Sequence, residues 1–166
     1  MILFEKLLAK EANTYIRFSD ENVENFCVPS FDKNKDGRLS YDEAASVTVS
    51  EFSSANHDSS KKITLFDEFQ FFTGLSEGVV NLQRFVFDVG GSITIPNIPI
   101  SVNNLRCSTI TVRNTLNGSI AGNTLILKEK ANVNVRTGNF QNYVIDENCE
   151  AFCKVGDFVL SKDKTR

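Results

Sequence analysis

The chain has 166 residues, which is enough for one ordinary domain or two small ones. Its composition is that of a globular protein, with 41% hydrophobic and 23% charged residues, and its net charge of −3 argues against a nucleic-acid partner or an anionic membrane surface. No apolar stretch approaches the roughly 20 residues of a spanning helix, so we expect no membrane insertion.

Charge and residue types are unevenly distributed along the chain. Residues 1–78 carry a net charge of −6 and hold 9 of the 14 Phe, whereas residues 79–166 carry +3 and hold 12 of the 17 Asn. This shift predicts an α+β protein of two modules, a helical one over residues 1–78 and a β-rich one over residues 79–166.

Residues 1–12 are predicted to form a short amphipathic helix, which is a candidate docking or oligomerisation arm; the alternative is that it packs on the next module. Its apolar residues are Ile2, Leu3, Leu7 and Leu8. Glu5 and Lys6 interrupt this stretch and no small-residue cleavage site follows, so it is not a signal peptide. We expect either that an export signal has been removed or that the protein is not secreted by that route.

A second helix is expected after Ser19 or Asp20, either of which can cap its N-terminus. Val23, Phe26 and Cys27 would lie on its buried side. Because proline lacks a backbone donor, Pro29 predicts that this helix ends near residue 28.

Residues 32–43 match the twelve-residue calcium loop of an EF-hand at every diagnostic position. Gly37 stands at the sixth position, where the chain turns sharply. Hard oxygen donors at alternate positions suit Ca²⁺, which is large and tolerant in its geometry. The predicted ligands are the side chains of Asp32, Asn34 and Asp36, the backbone carbonyl of Arg38, Ser40 through a water, and Glu43 with both carboxylate oxygens.

A simpler interpretation of the same residues is a helix capping box formed by Ser40 and Glu43, with Asp36-Gly37 as an ordinary turn. Because residues 32–43 match the calcium loop at every diagnostic position, we favour calcium binding over a simple capping box. Lys33, Lys35 and Arg38 reduce the negative field of the loop. We therefore expect a structural site with an affinity on the order of micromolar to millimolar.

A second loop, residues 56–67, has the same spacing but carries Lys61 where the glycine belongs. It is predicted to be a degenerate partner loop without metal, whose Ile63 pairs with Leu39 in a short two-stranded bridge; the alternative is an unrelated surface loop. A helix over residues 40–52, frayed at 47–49, is expected before this loop, and a helix over residues 65–73, capped by Thr64, after it.

From Val79 onward the pattern changes to short apolar strands separated by turns rich in Asn, Gly and Ser. The candidate strands are residues 84–87, 92–95, 109–112, 124–127, 143–145 and 158–160. Spacings of 17 residues from Ile93 to Ile110 and 15 from Ile110 to Leu125 favour a solenoid of stacked rungs. A β-sandwich is the competing architecture.

No motif for catalysis is present, and the single histidine, His57, is expected to be a solvated loop residue. The cysteines are Cys27, Cys107, Cys149 and Cys153; they lack the paired spacing of a zinc site, and buried free thiols are favoured over a bridge between Cys149 and Cys153. We therefore predict a protein that is not an enzyme. A calcium sensor is disfavoured by the single competent loop and the single methionine.

Two blocks of this sequence resemble BspA-like leucine-rich-repeat proteins of gut anaerobes and their phages. The first block runs from Phe18-Ser19-Asp20-Glu21-Asn22-Val23 through the loop to residues 63–75, and the second comprises residues 143–148 and 155–165. The resemblance covers about half of the chain. Residues 79–140 lack the repeat signature of that family, which predicts a short, degenerate solenoid.

The resemblance implies a surface-exposed or virion-associated role in binding and adhesion, with a protein or glycan partner and possible homo-oligomerisation. An extracellular or cell-surface location is expected, with the virion as the alternative; a head or tail decoration or fibre protein of a phage is the corresponding alternative function. A dockerin-like assembly module is less favoured, because that family needs a second good calcium loop and residues 56–67 lack the glycine.

Overall fold

The computed structural model describes residues 2–162, except for the side chains of residues 8–13 and 137. Helix α1 spans Ile2–Thr14 and confirms the predicted N-terminal helix, whose first residue lies outside the described part. The large apolar side chains of its first two turns are exposed, and they are Ile2, Leu3, Phe4 and Leu7. Packing of these residues on the next module is therefore not seen.

Helix α2 spans Glu21–Phe31 and is capped by Asp20, whose side chain accepts hydrogen bonds from the backbone N–H groups of Asn22 and Val23. The prediction that it ends near residue 28 is wrong, because the helix continues through Pro29. The N–H of Asp32 donates to the carbonyl of Val28 at 3.0 Å, which closes a further turn beyond the proline. Burial of Phe31, which is 4% exposed, favours this continuation.

The predicted helix over residues 40–52 is two helices, α3 (Tyr41–Ser46) and α4 (Val49–Ser54). The break falls at Val47 and Thr48, where fraying was expected from the β-branched run. Each helix has its own capping box, formed by Ser40 with Glu43 and by Thr48 with Glu51.

The predicted helix over residues 65–73 is wrong. Strand β1 occupies Ile63–Phe66, and a 3-10 helix follows over Asp67–Phe71. The carboxylate of Asp20 accepts hydrogen bonds from the N–H and hydroxyl of Thr64 at 2.6 and 2.8 Å, and strand β1 pairs with a later strand. Thr64 was expected to cap a helix that begins at residue 65. It instead donates hydrogen bonds to Asp20, the residue that caps α2.

Ten further strands follow. They are β2 (Val79–Asn81), β3 (Phe87–Thr94), β4 (Ile100–Arg106), β5 (Thr109–Val112), β6 (Thr115–Ala121), β7 (Thr124–Leu127), β8 (Asn132–Thr137), β9 (Asn142–Ile145), β10 (Ala151–Val155) and β11 (Phe158–Lys162). The candidate strand at residues 84–87 is wrong except for Phe87, whereas those at 109–112 and 124–127 have the predicted bounds.

The strands form two sheets, one in the order β1-β3-β5-β7-β9 and the other in the order β11-β10-β8-β6-β4-β2. All strand pairs are parallel except β10 with β11. From β1 to β10 the chain thus contributes one strand to each sheet in turn. This is a solenoid-like arrangement and excludes the antiparallel sandwich for the described strands. Ile93 pairs with Ile110 and Ile110 with Leu125, as the two spacings predicted.

One hydrophobic core runs through both the helices and the strands. At the helical end it is aromatic, and the ring centroids of Phe26 and Phe85 lie 5.0 Å apart at 85°. Its buried phenylalanines are Phe26, Phe31, Phe52, Phe66, Phe69, Phe72 and Phe85. Between the two sheets the core is filled by aliphatic side chains from successive rungs, such as Ile93, Ile110 and Leu125. The boundary between residues 78 and 79 remains a prediction.

Candidate calcium site

Five of the six predicted calcium ligands lie in the loop that joins α2 to α3, and the sixth, Glu43, lies in the first turn of α3. The backbone of Gly37 has φ of +86° and that of Lys35 has φ of +60°. These two left-handed residues bend the chain tightly, and glycine adopts this conformation without steric cost.

The carboxylate of Asp32 forms the centre of the loop. Its oxygens accept hydrogen bonds from the backbone N–H groups of Lys35 (2.8 Å), Asp36 (3.3 Å) and Gly37 (2.8 Å). The N–H of Asp36 also donates to Asn34 Oδ1 at 2.8 Å. The chain therefore curls around the side chain that stands at the first ligand position.

Glu43 joins the two ends of the loop. Its carboxylate accepts hydrogen bonds from the N–H groups of Lys33 (3.0 Å) and Asn34 (3.2 Å), and from the N–H and hydroxyl of Ser40 at 2.9 and 2.8 Å. Burial raises the pKa of Glu43, but these hydrogen bonds outweigh burial, so its pKa lies below the ordinary value. The capping box is thus present, and its glutamate also closes the loop.

A tyrosine outside the predicted ligand set contacts the loop. The Tyr15 hydroxyl donates to Asp36 Oδ2 at 2.9 Å, and the guanidinium of Arg38 lies 3.8 Å from the Tyr15 ring centroid. The hydrogen bond from Tyr15 is the main reason that the pKa of Asp36 lies below its ordinary value. No pattern in the sequence indicates that Tyr15 faces the loop.

The predicted bridge between Leu39 and Ile63 is wrong. The N–H of Ile16 donates to the carbonyl of Leu39 at 2.9 Å, and Tyr15 and Ser40 form an isolated antiparallel bridge. Ile63 instead pairs with Phe87 as part of β1. The segment before α2 therefore takes the place beside the calcium loop that the second loop was expected to fill.

The polar side chains of the second loop have separate partners. Asn56 accepts from Arg84 at 3.3 Å, Asp58 accepts from the Ser60 hydroxyl at 2.7 Å, and Asp67 accepts from the Thr94 hydroxyl at 2.6 Å. These residues follow α4 and lead through β1 to the start of the 3-10 helix.

His57, expected to be solvated, is half-buried. Its ring stacks on Phe85, with the centroids 5.0 Å apart and the planes at 7°, and it meets Phe26 edge-on. Burial lowers its pKa, and its Nε2 atom is buried without a hydrogen-bond partner in the described chain. His57 is therefore a neutral packing residue at neutral pH.

The donor chemistry of the first loop fits Ca²⁺. It offers three carboxylates together with an amide, a hydroxyl and a backbone carbonyl, all of them hard oxygen donors. Among the side chains that the structure describes, no three of His, Cys, Asp or Glu lie together as a metal-binding group.

The four cysteines are buried and free, as the favoured interpretation held. Burial raises the pKa of Cys107 to about 12 and that of Cys153 to about 11, so neither thiol is activated as a nucleophile.

No helix among the described residues is both long enough and apolar enough to cross a membrane. Comparison of the chain with protein-family models, with curated proteins and with solved structures found no match.

Proposed function

We propose that this protein is a calcium-stabilised recognition or adhesion module without catalytic activity, built as an EF-hand-like helical part that holds a short solenoid. The observation that supports this proposal best is the curled loop around Asp32, which accepts three backbone N–H groups. Such a loop needs little rearrangement to present oxygen donors to a cation.

The residues that would hold the ion are the six predicted from the sequence. Asp32, Asn34, Asp36 and Glu43 supply side-chain oxygens, Arg38 supplies its carbonyl, and Ser40 acts through a water. When bound, Ca²⁺ supplies positive charge that offsets the repulsion among three carboxylates. Since the unfolded chain has no such site, binding would add directly to folding stability.

The loop is connected to the rest of the protein, so its stability is expected to spread beyond it. Leu39, between the ligands, is 1% exposed, and its carbonyl accepts a hydrogen bond from the N–H of Ile16. On the other side, Tyr41 packs edge-on against Phe71 of the 3-10 helix, with ring centroids 4.8 Å apart. A bound ion would thus fix the helices that close one end of the solenoid.

Thermal melts in calcium and in chelator test this proposal. We expect millimolar Ca²⁺ to raise the melting temperature by several degrees, since a ligand at 100 times its Kd stabilises by about 2.7 kcal/mol. Asp32→Ala should remove the calcium-dependent increment. Asp58→Ala, in the second loop, is the matched control and should keep it.

The increment, rather than the melting temperature itself, is the measured quantity, because Asp32→Ala also loses hydrogen bonds that do not depend on calcium. A wild-type melting temperature that is the same in chelator and in millimolar calcium would overturn the calcium part of the proposal.

The proposed location is the cell surface or the extracellular space, with a protein or glycan as partner. Mass spectrometry of purified cell envelopes and of purified virions separates this location from the virion alternative. Recovery in the virion fraction alone would replace adhesion by a structural role in the particle.

A further inference from the structure

The outer face of the second sheet carries a groove of about 600 Å³. It crosses β4, β6 and β8, and residues of three successive rungs line it. Its polar lining comprises Ser101, Asn103, Asn117, Ser119, Asn134 and Arg136. None of these residues belongs to the calcium loop.

The groove follows from irregularities in the strands. The pairing register shifts between Val102 and Leu105 and again between Gly118 and Ser119, and such bulges bend a sheet. Gly118 has φ of +122°, and a Cβ atom at this position would overlap the carbonyl oxygen of Val102. Glycine therefore lets β6 approach β4 closely at the floor of the groove.

The polar side chains form a row that runs across the strands. Ser101 pairs with Asn117, Asn117 with Asn134, and Asn134 with Lys154. The flanking residues Val102 and Val135 are buried, so the side chains of the row point outward. Neighbouring strands lie about 4.8 Å apart, and the row thus presents one polar side chain at each step along the solenoid axis.

The asparagine side chains of the groove do not bond to one another. Within the described part of the chain, the side chains of Asn103, Asn117 and Asn134 make no hydrogen bond. An amide offers two donors and an acceptor with two lone pairs. These groups are therefore open to an external ligand.

The charge of the groove is positive. Arg136 makes no salt bridge or side-chain hydrogen bond to any residue that the structure describes, and Lys154 extends the row. No Asp or Glu is among the described residues that line the groove. A guanidinium binds a carboxylate through two parallel hydrogen bonds, so the groove complements a ligand that bears carboxylates.

We propose that this groove binds a linear acidic polysaccharide, with its hydroxyls on the asparagines and a carboxylate on Arg136. This inference rests on the proposed recognition function and names its ligand class. A repeating polymer laid along the axis meets one polar side chain at each rung. The lining holds no aromatic anchor of the kind that dominates protein interfaces, and the backbone groups of β4, β6 and β8 are already paired within the sheet.

Isothermal titration of the full chain in buffer without added calcium tests the proposal with three probes: oligogalacturonate, its methyl-esterified neutral form, and poly-glutamate. We expect oligogalacturonate to bind more tightly than both others. The double change Asn117→Ala with Asn134→Ala should weaken binding of oligogalacturonate and of its ester by about tenfold or more. Arg136→Gln should weaken the acid about tenfold and leave the ester unchanged.

The matched controls lie away from the groove. Asn142→Ala is an exposed asparagine on the other sheet and Lys128→Gln an exposed cation near it; both should bind as the wild type does. Absence of binding to oligogalacturonate at millimolar concentration overturns the inference, as does equal binding of poly-glutamate or unchanged binding by the groove variants.

Failure of this inference is distinct from failure of the calcium proposal. If calcium raises the melting temperature but oligogalacturonate does not bind, the glycan groove is overturned and the calcium site is supported. If oligogalacturonate binds through Arg136 but calcium leaves the melting temperature unchanged, the groove is supported and the calcium site is overturned.

Discussion

Gly118 adopts a backbone conformation that side chains rarely tolerate, with φ of +122° and no room for a Cβ beside Val102. We expect Gly118→Ala to lower the free energy of unfolding by more than about 3 kcal/mol, because it combines left-handed strain with overlap against backbone. Chemical denaturation measures this loss.

Gly90→Ala is the control for Gly118→Ala. Gly90 also has a positive φ, of +82°, but nothing lies within 4 Å of a Cβ there. It should cost only about 1 kcal/mol. Equal losses for the two variants would show that close approach of β6 to β4 has no energetic weight.

Glu68 is a buried carboxyl, 3% exposed, with one oxygen accepting from the Ser19 N–H at 2.9 Å and the other without a partner in the described chain. Burial raises its pKa above the ordinary value of 4.5. The folded state therefore holds this proton more tightly, and the destabilising effect of its ionisation grows as the pH rises above the ordinary pKa.

We expect Glu68→Gln to gain stability relative to the wild type as the pH rises from 4 toward neutral, with the difference levelling off once the pH exceeds the raised pKa. Urea denaturation at a series of pH values measures this difference. A difference that stays constant with pH would mean that Glu68 ionises in the folded protein as freely as in the unfolded chain.

The pKa of Asp20 is shifted in the direction opposite to that of Glu68. Burial raises its pKa, but hydrogen bonds from Thr64, Asn22 and Leu65 outweigh burial and leave the pKa below its ordinary value. Ionised Asp20 therefore stabilises the fold at pH values above its ordinary pKa, and this stabilisation is lost as the pH falls through its lowered pKa. At this scale the sequence left Ser19 and Asp20 open as the cap of α2, and it did not predict the hydrogen bond between Asp20 and Thr64, 44 residues away.

At the scale of elements, α4 depends on its cap, since a six-residue helix is too short to be stable alone. The Thr48 hydroxyl accepts from the Glu51 N–H at 3.2 Å, and the Glu51 carboxylate accepts from the Thr48 N–H at 2.7 Å. We expect Thr48→Ala to reduce the free energy of unfolding by about 1 kcal/mol, measured by urea denaturation.

Ser50→Ala is the comparison for this cap. Ser50 is exposed in the first turn of α4 and makes no side-chain hydrogen bond to the described residues. Its replacement should change stability by less than about 0.5 kcal/mol. A loss as large as that of Thr48→Ala would show that helix propensity, not the cap, holds α4.

The strands differed in how readily the sequence revealed them. Those of the first sheet, such as β5 and β7, are short apolar runs and were predicted with their bounds. In the second sheet β4, β6, β8 and β10 were missed. Alternation such as Asn132-Val133-Asn134-Val135 was the available signal for β8, because only one side of that strand is buried.

At the scale of the whole molecule, helices and solenoid share one core. Phe85, just before β3, packs against Phe26 and Phe52 from the helices. Strand β1, from the predicted helical segment, pairs with β3 of the solenoid. We therefore expect a single cooperative unfolding transition.

The reactivity of two buried free thiols tests whether the two parts of the chain unfold together, because Cys27 lies in α2 and Cys153 in β10. Variants that retain only one of these two cysteines should become reactive toward a thiol reagent at the same denaturant concentration, as followed by mass spectrometry. Two separate midpoints would show that residues 1–78 and 79–166 unfold independently.

The sequence by itself determined the features that depend on neighbours in the chain. The calcium-loop pattern, the cap of α2, the rung spacing and the apolar strands all arise from local backbone preference or from periodic burial. Tertiary structure alone decided that α2 passes through Pro29, that residues 63–66 form a strand, and that Tyr15 contacts the calcium loop. It also placed Asn117, Asn134 and Arg136 in one groove. These outcomes come from contacts between distant segments, whose burial and hydrogen bonds outweigh local propensity, and no local pattern records such contacts.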